Sequence, residues 1–275
     1  MSDTAVIILN YKTWEDTLEE IEQIHQKLSV PYQNVIVVDN HSPGESSERL
    51  SSKALEKGYT FLEADENRGY AAGNNIGLKA AGEKGYSYAL ILNNDILFTD
   101  EDTLTKLRQI FRRDERVAVA NPDIYSPDGY LYNRDAVRPS FFDLTLGMGR
   151  YREKGRQLQD LGGYGYIYRP QGCCMMVDLR KLCQVEYLDE HTFLYVEEPI
   201  LAERLAKKGY VCACCTDTSV IHNHSRTVRT TLQKRQIRRI HNQSFAYYLR
   251  EYREFNPGKR DICLMFQWLK LVIMK

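Results

Sequence analysis

The chain has 275 residues, 43% of them hydrophobic, enough for one substantial core; this excludes disorder as the default and fits one large domain with an appendage better than two equal domains. Lysine plus arginine equals aspartate plus glutamate at 37 each, so the overall charge gives no reason to expect a nucleic-acid partner, and any basic surface must be regional. The opening "MSDTAVIILNYK" has neither the basic flank nor the apolar length of a secretory signal, which predicts a cytoplasmic location.

From the N-terminus, short apolar runs alternate with helical patterns. "AVIIL" precedes a helix over Trp14 to Leu28, "VIVV" one over about Ser46 to Lys57, "YTFL" one over Tyr70 to Gly82, and "YALIL" one over Asp102 to Arg113, before "VAVA". This βαβα alternation predicts an α/β fold with a Rossmann-like, mostly parallel central sheet and helices on both faces. Ligands of such sheets gather at the carboxyl ends of the strands. The polar clusters there are Asn10-Tyr11, Asp39 to Ser42, Asp65 to Gly69 and Asn93-Asn94-Asp95, all expected along one edge.

Beyond Ile124 the regular alternation stops. "YSPDGYLY" reads as a hairpin about a Pro-Asp-Gly turn. The segment Arg138 to Tyr166 is rich in glycine and charge and reads as a loop or lid. "QGCCMMVDL" and "VCACC" supply further strands, separated by the helix "EEPILAERLAKKG", which ends at Gly209. The odd number of cysteines, seven, argues for reduced thiols. A zinc site on Cys212, Cys214 and Cys215 is the weaker reading, since a strand puts the third on the opposite face and no CxxC spacing is present. After His224, "TLQKRQIRRIHNQSFAYYLREY" is a basic amphipathic helix. The apolar tail "DICLMFQWLKLVIMK" has 15 residues, short of the ~20 that span a bilayer. It reads as an interfacial anchor, a docked terminal helix or a plain core helix.

Four constellations can carry chemistry. Asp95 ends a strand beside other polar strand ends, where one carboxylate with water and phosphate oxygens suffices for a hard divalent ion; for the tripeptide alone, turn and cap chemistry is the plainer account of Asn-Asn-Asp. "NRGYAAGNNIG" spaces Gly69, Gly73 and Gly77 by four residues in a helix, which implies close approach of a ligand or of a neighbouring backbone, with Asn67, Asn74 and Asn75 as hydrogen-bonding groups. It is neither GxGxxG nor a P-loop. Glu197 and Glu198 stand at a helix start before Pro199, favoured there by the helix dipole yet also suited to general-base work. His222, His224 and Arg226 follow a strand, where histidine can complete a metal site and arginine can clamp diphosphate oxygens; polar surface is the plainer alternative.

Taken in order, "VIILNY", "VVDNHS", "NRGYAAGNNIG", "LNND", "QGCCMMVDLRKL", "LDEHTFLYVEEPILAERLAKKGY" and "VIHNHS" resemble the inverting family-two glycosyltransferases of the GT-A fold, most closely their bacterial rhamnosyltransferase-like branch. The resemblance covers residues 5 to about 225. It implies a glycosyltransferase domain over 1–225, divided into a nucleotide-sugar half (1–120) and an acceptor half (121–225); residues 226–275 lie outside it as a helical extension, for which the basic helix and apolar tail make membrane association one expectation. It implies that Asp39 recognises a uracil or thymine ring beside Asn10 and Tyr11. Asn67, Gly69, Asn74 and Asn94 would lie near the donor, with Arg226 on the diphosphate.

By the same resemblance Asp95 is the last acid of a DxD-like motif for a divalent metal, Mg or Mn. Asn93 stands in the motif's first position, which makes His222 the expected helper. Glu198 takes the place of the catalytic base, with Glu197 its competitor, and Asp189 and Glu190 help shape the acceptor pocket. The implied reaction moves a sugar, rhamnose being one candidate, from a dTDP or UDP donor to a polysaccharide or lipid-linked glycan at the inner membrane face, with inversion. A homodimer is left open. A nucleotidyltransferase and a non-catalytic nucleotide-sugar-binding subunit are the competing readings.

Overall fold

The computed structural model describes residues 3–147, 158–223 and 234–273. Nine strands form one sheet: β1 (Thr4–Asn10), β2 (Val35–Asp39), β3 (Thr60–Glu63), β4 (Tyr88–Leu92), β5 (Ile96–Phe98), β6 (Val117–Tyr125), β7 (Tyr164–Ile167), β8 (Cys174–Asp178) and β9 (Val211–His222). The order is β3-β2-β1-β4-β8-β6-β9-β5, with β7 also on β9. β1 to β4 are mutually parallel, β8 runs against β4 and β6, β6 and β9 are parallel, and β5 and β7 run against β9. Six strands therefore share one direction, and the sheet is mixed but mostly parallel.

The apolar runs form strands because both of their faces are covered. Val6 and Ile8 of β1 and Val35 and Val37 of β2 face the helices α1 (Trp14–Leu28), α2 (Ser46–Lys57) and α4 (Thr103–Arg113). Ala5 and Ile7 of β1 and Ile36 and Val38 of β2 face α3 (Tyr70–Glu83) and the helices Leu179–Cys183 and Glu197–Lys207. The glycines of α3 permit its close seating. A Cβ on Gly73 would stand 2.5 Å from Leu9 Cδ1, and one on Gly77 2.5 Å from Ile7 Cγ2. Cys212 and Cys214 pack on the α3 side and Cys215 on the other, all three buried, as the two-residue strand period requires.

Two expectations change beyond β6. The "YSPDG" turn closes with hydrogen bonds between Ser126 and Tyr130, but the hairpin has only one β-bridge, Tyr125 to Leu131. The expected loop from Arg138 to Tyr166 contains the helix Phe141–Leu146, because Ser140 and Asp143 form a reciprocal capping box at its start. Its last residues enter β7, and residues 148–157 lie outside the described ones.

The C-terminal helices Lys234–Glu251 and Pro257–Ile273 dock on the domain. Phe245, Tyr248, Leu249 and Cys263 form a small core with Ile200. Below it, Glu203 accepts two hydrogen bonds from Arg138, at 2.8 and 2.9 Å, and one from Tyr168 at 2.7 Å; Tyr168 in turn shares a hydrogen bond with Tyr248. Among the described residues no helix is long and apolar enough to cross a membrane.

Candidate active site

After β4 the chain turns through Asn93-Asn94-Asp95 and returns as β5. β5 pairs antiparallel with the end of β9, Ile96 opposite His222 and Phe98 opposite Val220. That register sets Asp95 beside His222, with Asp95 Oδ1 3.1 Å from Nε2, and Asn223 N–H donates to the Asp95 carbonyl at 2.9 Å. On its other edge His222 Nδ1 shares a 2.7 Å hydrogen bond with the Tyr132 hydroxyl. Burial works against the charged imidazole, but its contacts with Asp95 and Cys173 prevail and push its pKa up to about 10.

Both Asp95 carboxylate oxygens are buried and accept no hydrogen bond among the described residues, the His222 contact being an ion pair. The His222 imidazolium already meets this buried carboxylate, and a metal ion held by the pair would take the place of the imidazole proton. Carboxylate oxygen with imidazole nitrogen suits Mn and tolerates Mg. No cluster of three or more metal-ligating side chains exists among the described residues, so the two would need diphosphate oxygens or water as further ligands. Asn94 acts as a brace, its amide donating to Thr13 Oγ1 at 2.8 Å and to Thr17 Oγ1 at 2.9 Å.

Asn10 and Asp39 are register partners at the ends of β1 and β2. Both are fully buried. Asp39 accepts hydrogen bonds from Asn10 Nδ2 (2.5 Å), Ser42 N and Ser42 Oγ (both 2.8 Å), while Asn10 Oδ1 accepts from Thr17. Tyr11 is half-buried beside them. Asn67 Oδ1 accepts from Gly69 N and Asn40 Nδ2, so its side chain organises the turn into α3. Gly69 has φ +99°, and a Cβ there would stand 2.0 Å from the Phe193 carbonyl oxygen. Only glycine permits this crossing, which Tyr70 N–H seals by donating to Phe193 O at 2.9 Å. Asn74 is fully buried; its amide donates to Tyr70 O, and its Oδ1 has no partner among the described residues.

A cleft of about 880 Å³ opens between this sheet edge and the C-terminal helices, bordered by Tyr70, Asn93, Gly172, Glu197, Glu198 and His222 among others. Glu197 begins its helix with 7% exposure, and its Oε1 has no hydrogen-bond partner among the described residues. Burial, reinforced by Glu198, raises its pKa to about 8. Glu198 is half-buried and accepts a 3.3 Å hydrogen bond from Gly172 N–H. Tyr70 donates to the Gly172 carbonyl at 2.7 Å, and burial and the two glutamates hold its phenol well above the usual range. The adjacent carboxylates therefore have unlike environments, one sunk and the other at the wall.

Asp189 and Glu190 stand away from this cleft. Asp189 accepts hydrogen bonds from His191 Nδ1 (2.7 Å), Tyr247 (2.9 Å) and Tyr252, which ties the C-terminal helix to the domain. Glu190 accepts from Asn75 at 2.8 Å and lines a 230 Å³ notch with Asn40, Asp65 and Arg68. Arg226 lies outside the described residues. Tyr132, Tyr70 and Gly172 border the cleft without having been singled out from the sequence. Tyr132 carries no signal beyond its place in the tyrosine-rich turn, since only the folded chain brings it to His222.

Mixed sheet, flanking helices and a polar cleft at the strand ends fit the GT-A fold, and residues 5–178 match Glycosyl transferase family 2. The chain belongs to that family. It is 25% identical over 230 residues, 81% of this chain and 68% of the relative, to the "Low-salt glycan biosynthesis hexosyltransferase Agl10" of Haloferax volcanii.

Among solved structures it is similar to the mannosyltransferase PcManGT of Pyrobaculum calidifontis in complex with GDP-Man and Mn2+, with TM-score 0.61 and 17% identity over 99% of this chain and 70% of that one. GalNAc-T7 with UDP, GalNAc and Mn2+ gives a TM-score of 0.60 at 11% identity over 96% of this chain, which spans about half (54%) of that protein. S. aureus TarS in complex with UDP-GlcNAc gives 0.55 at 14%, over 100% of this chain and 74% of that one. Family membership makes the chain a glycosyltransferase and sets the nucleotidyltransferase reading aside.

Proposed function

We propose that this enzyme is a metal-dependent inverting transferase that moves a hexose from a nucleoside diphosphate to a hydroxyl of a lipid-linked or polymeric glycan at the cytoplasmic membrane face. The observation that carries the reading is that Asn93 and His222, at the Asp95 corner, border the same cleft as Glu197 and Glu198. One wall thus offers a cation site for a diphosphate and another a base for an acceptor.

Glu198 is the base in this reading, because its carboxylate stands at the cleft wall, oriented by Gly172 N–H. Glu197, its pKa raised to about 8 by burial and by Glu198, is held mostly protonated at neutral pH beside it. Glu198 accepts the proton of the acceptor hydroxyl as that oxygen attacks the anomeric carbon. The bond from that carbon to the diphosphate oxygen breaks on the opposite side, and nucleoside diphosphate departs. A divalent ion held by Asp95 and His222 would supply positive charge to the leaving group. Asp39 and Asn10 form the floor beneath the nucleobase.

The rhamnosyltransferase-like sequence pattern makes dTDP-rhamnose the first donor to examine, with UDP-hexoses beside it. The test is a screen of donors for metal-dependent thermal stabilisation, followed by NMR of the product formed with the stabilising donor. The expected product has the anomeric configuration opposite to the donor's. A product that keeps the donor's configuration overturns the single displacement and the role of Glu198 with it.

A further inference from the structure

The helix Pro257–Ile273 is apolar on two sides. Cys263 is fully buried with Tyr248 and Leu249 of the preceding helix. Facing away, Ile262, Met265, Trp268 and Leu269 are 42, 51, 55 and 36% exposed. Steps of three, three and one residue put these four on one stripe, with the exposed Asp261 on the same side one turn before Met265. Single exposed apolar residues need no explanation, but a contiguous stripe calls for a partner. Alongside it lies a groove of about 920 Å³, bordered by Arg235, Arg239, Asn242, Gln243, Met265 and Trp268 among others, with no carboxylate in its lining.

We propose that this face docks on an anionic lipid bilayer, with Arg235 and Arg239 against the headgroups and Trp268 and Met265 in the interfacial layer. The proposal extends the reading of a transferase whose acceptor is membrane-held, and it rests on that reading only for its purpose. Charge selects the occupant. A second copy seated on this groove through the same surface brings no carboxylate from the groove lining to offset the arginines, whereas anionic headgroups offset both. Tryptophan at the edge of an apolar stripe suits the headgroup boundary, and the helix lies on the surface without crossing it.

The same two helices turn another side to the active cleft, where His241, Phe245 and Gln267 line it and Gln267 Nε2 lies 3.3 Å from His241 Nδ1. A bilayer seated on the groove would therefore lie about one helix diameter, ~10 Å, from the cleft. An acceptor glycan on a lipid carrier needs only to rise from the headgroup layer to enter.

The test is co-sedimentation of the full chain with vesicles of equal parts phosphatidylglycerol and phosphatidylcholine, and with phosphatidylcholine alone. Binding is expected on the anionic vesicles, weaker on neutral ones, and largely lost at about 1 M salt. Arg235→Ala and Arg239→Ala should each weaken anionic binding roughly fivefold, and together roughly 25-fold. Trp268→Ala should weaken binding to both kinds of vesicle, with circular dichroism unchanged. Equal binding by the double arginine variant overturns the proposal, as does a dimer in light scattering that the same substitutions dissolve. Donor hydrolysis in vesicle-free solution separates the two readings. Vesicle binding without release of nucleoside diphosphate would sink the catalytic reading alone; release without vesicle binding would sink the docking surface alone.

Discussion

Asp95 and His222 meet because β5 folds back against the end of β9, and the pairing of Ile96 with His222 leaves the Asp95 carboxylate 3.1 Å from the imidazole. Neither residue's neighbours in sequence would bring it there. The carboxylate so held is buried with the His222 imidazolium as its counter-charge, and a bound metal ion would take the place of that proton.

Replacing Asp95 by Ala should remove calorimetrically measured Mn binding in the presence of nucleoside diphosphate and lower transfer on the order of 100-fold. Some stability should be lost as well, because Asp95 is the ion-pair partner of the buried His222 imidazole, so circular dichroism and urea denaturation of the variant accompany the binding measurement. Retention of full metal-dependent activity in the Asp95→Ala enzyme would remove this corner from the mechanism.

The two glutamates should separate in kinetics. Glu198→Gln should lower kcat by roughly 100-fold or more while donor affinity stays near that of the native enzyme, since it removes the base and keeps the shape. Glu197→Gln, which mimics the protonated form, should retain most of the turnover. The reverse ranking in steady-state assays would transfer the base role to Glu197.

Glu197 also makes stability depend on pH. Its folded pKa, about 8, lies above its ordinary 4.5, so its stabilising contribution is complete below about 4.5 and is lost as pH rises through 8. The Glu197→Gln variant cannot acquire the buried charge. Its stability relative to the native chain should therefore rise between pH 5 and 9 by an amount on the order of a few kcal/mol. Urea denaturation at several pH values measures this, and a pH-independent difference would show that Glu197 ionises in the fold at its ordinary pKa.

Gly69→Ala should be among the more damaging single-methyl changes in the molecule. The new Cβ meets the Phe193 carbonyl, backbone that cannot rotate aside, at a φ of +99° that L side chains rarely adopt. A loss of about 2–4 kcal/mol in urea denaturation is expected. Gly58→Ala provides the contrast: φ is also positive, +89°, but nothing lies within 4 Å, so only the smaller backbone cost applies. Equal losses at the two sites would mean that contact with Phe193 does not decide the outcome.

The sequence by itself determined the β1 to β4 half, because two-residue and helical periods, strand-end polar clusters and glycine-ended helices are local properties. It also brought the chain to its family through blocks whose order does not depend on distance in space. Tertiary structure alone decided the rest. The antiparallel insertion of β8, the return of β5 along β9 and the Tyr132–His222 contact join segments from opposite halves of the chain, which no local period encodes. The asparagines of α3 and the Asp189-Glu190 pair looked alike as polar, site-forming residues. Folding gives them partners in Leu188, Tyr70, Tyr247 and Arg68, because a buried polar group takes whichever donor or acceptor the packed chain puts within reach. Glu197 and Glu198 are neighbours in sequence, yet only the depth of the cleft wall buries Glu197 and raises its pKa.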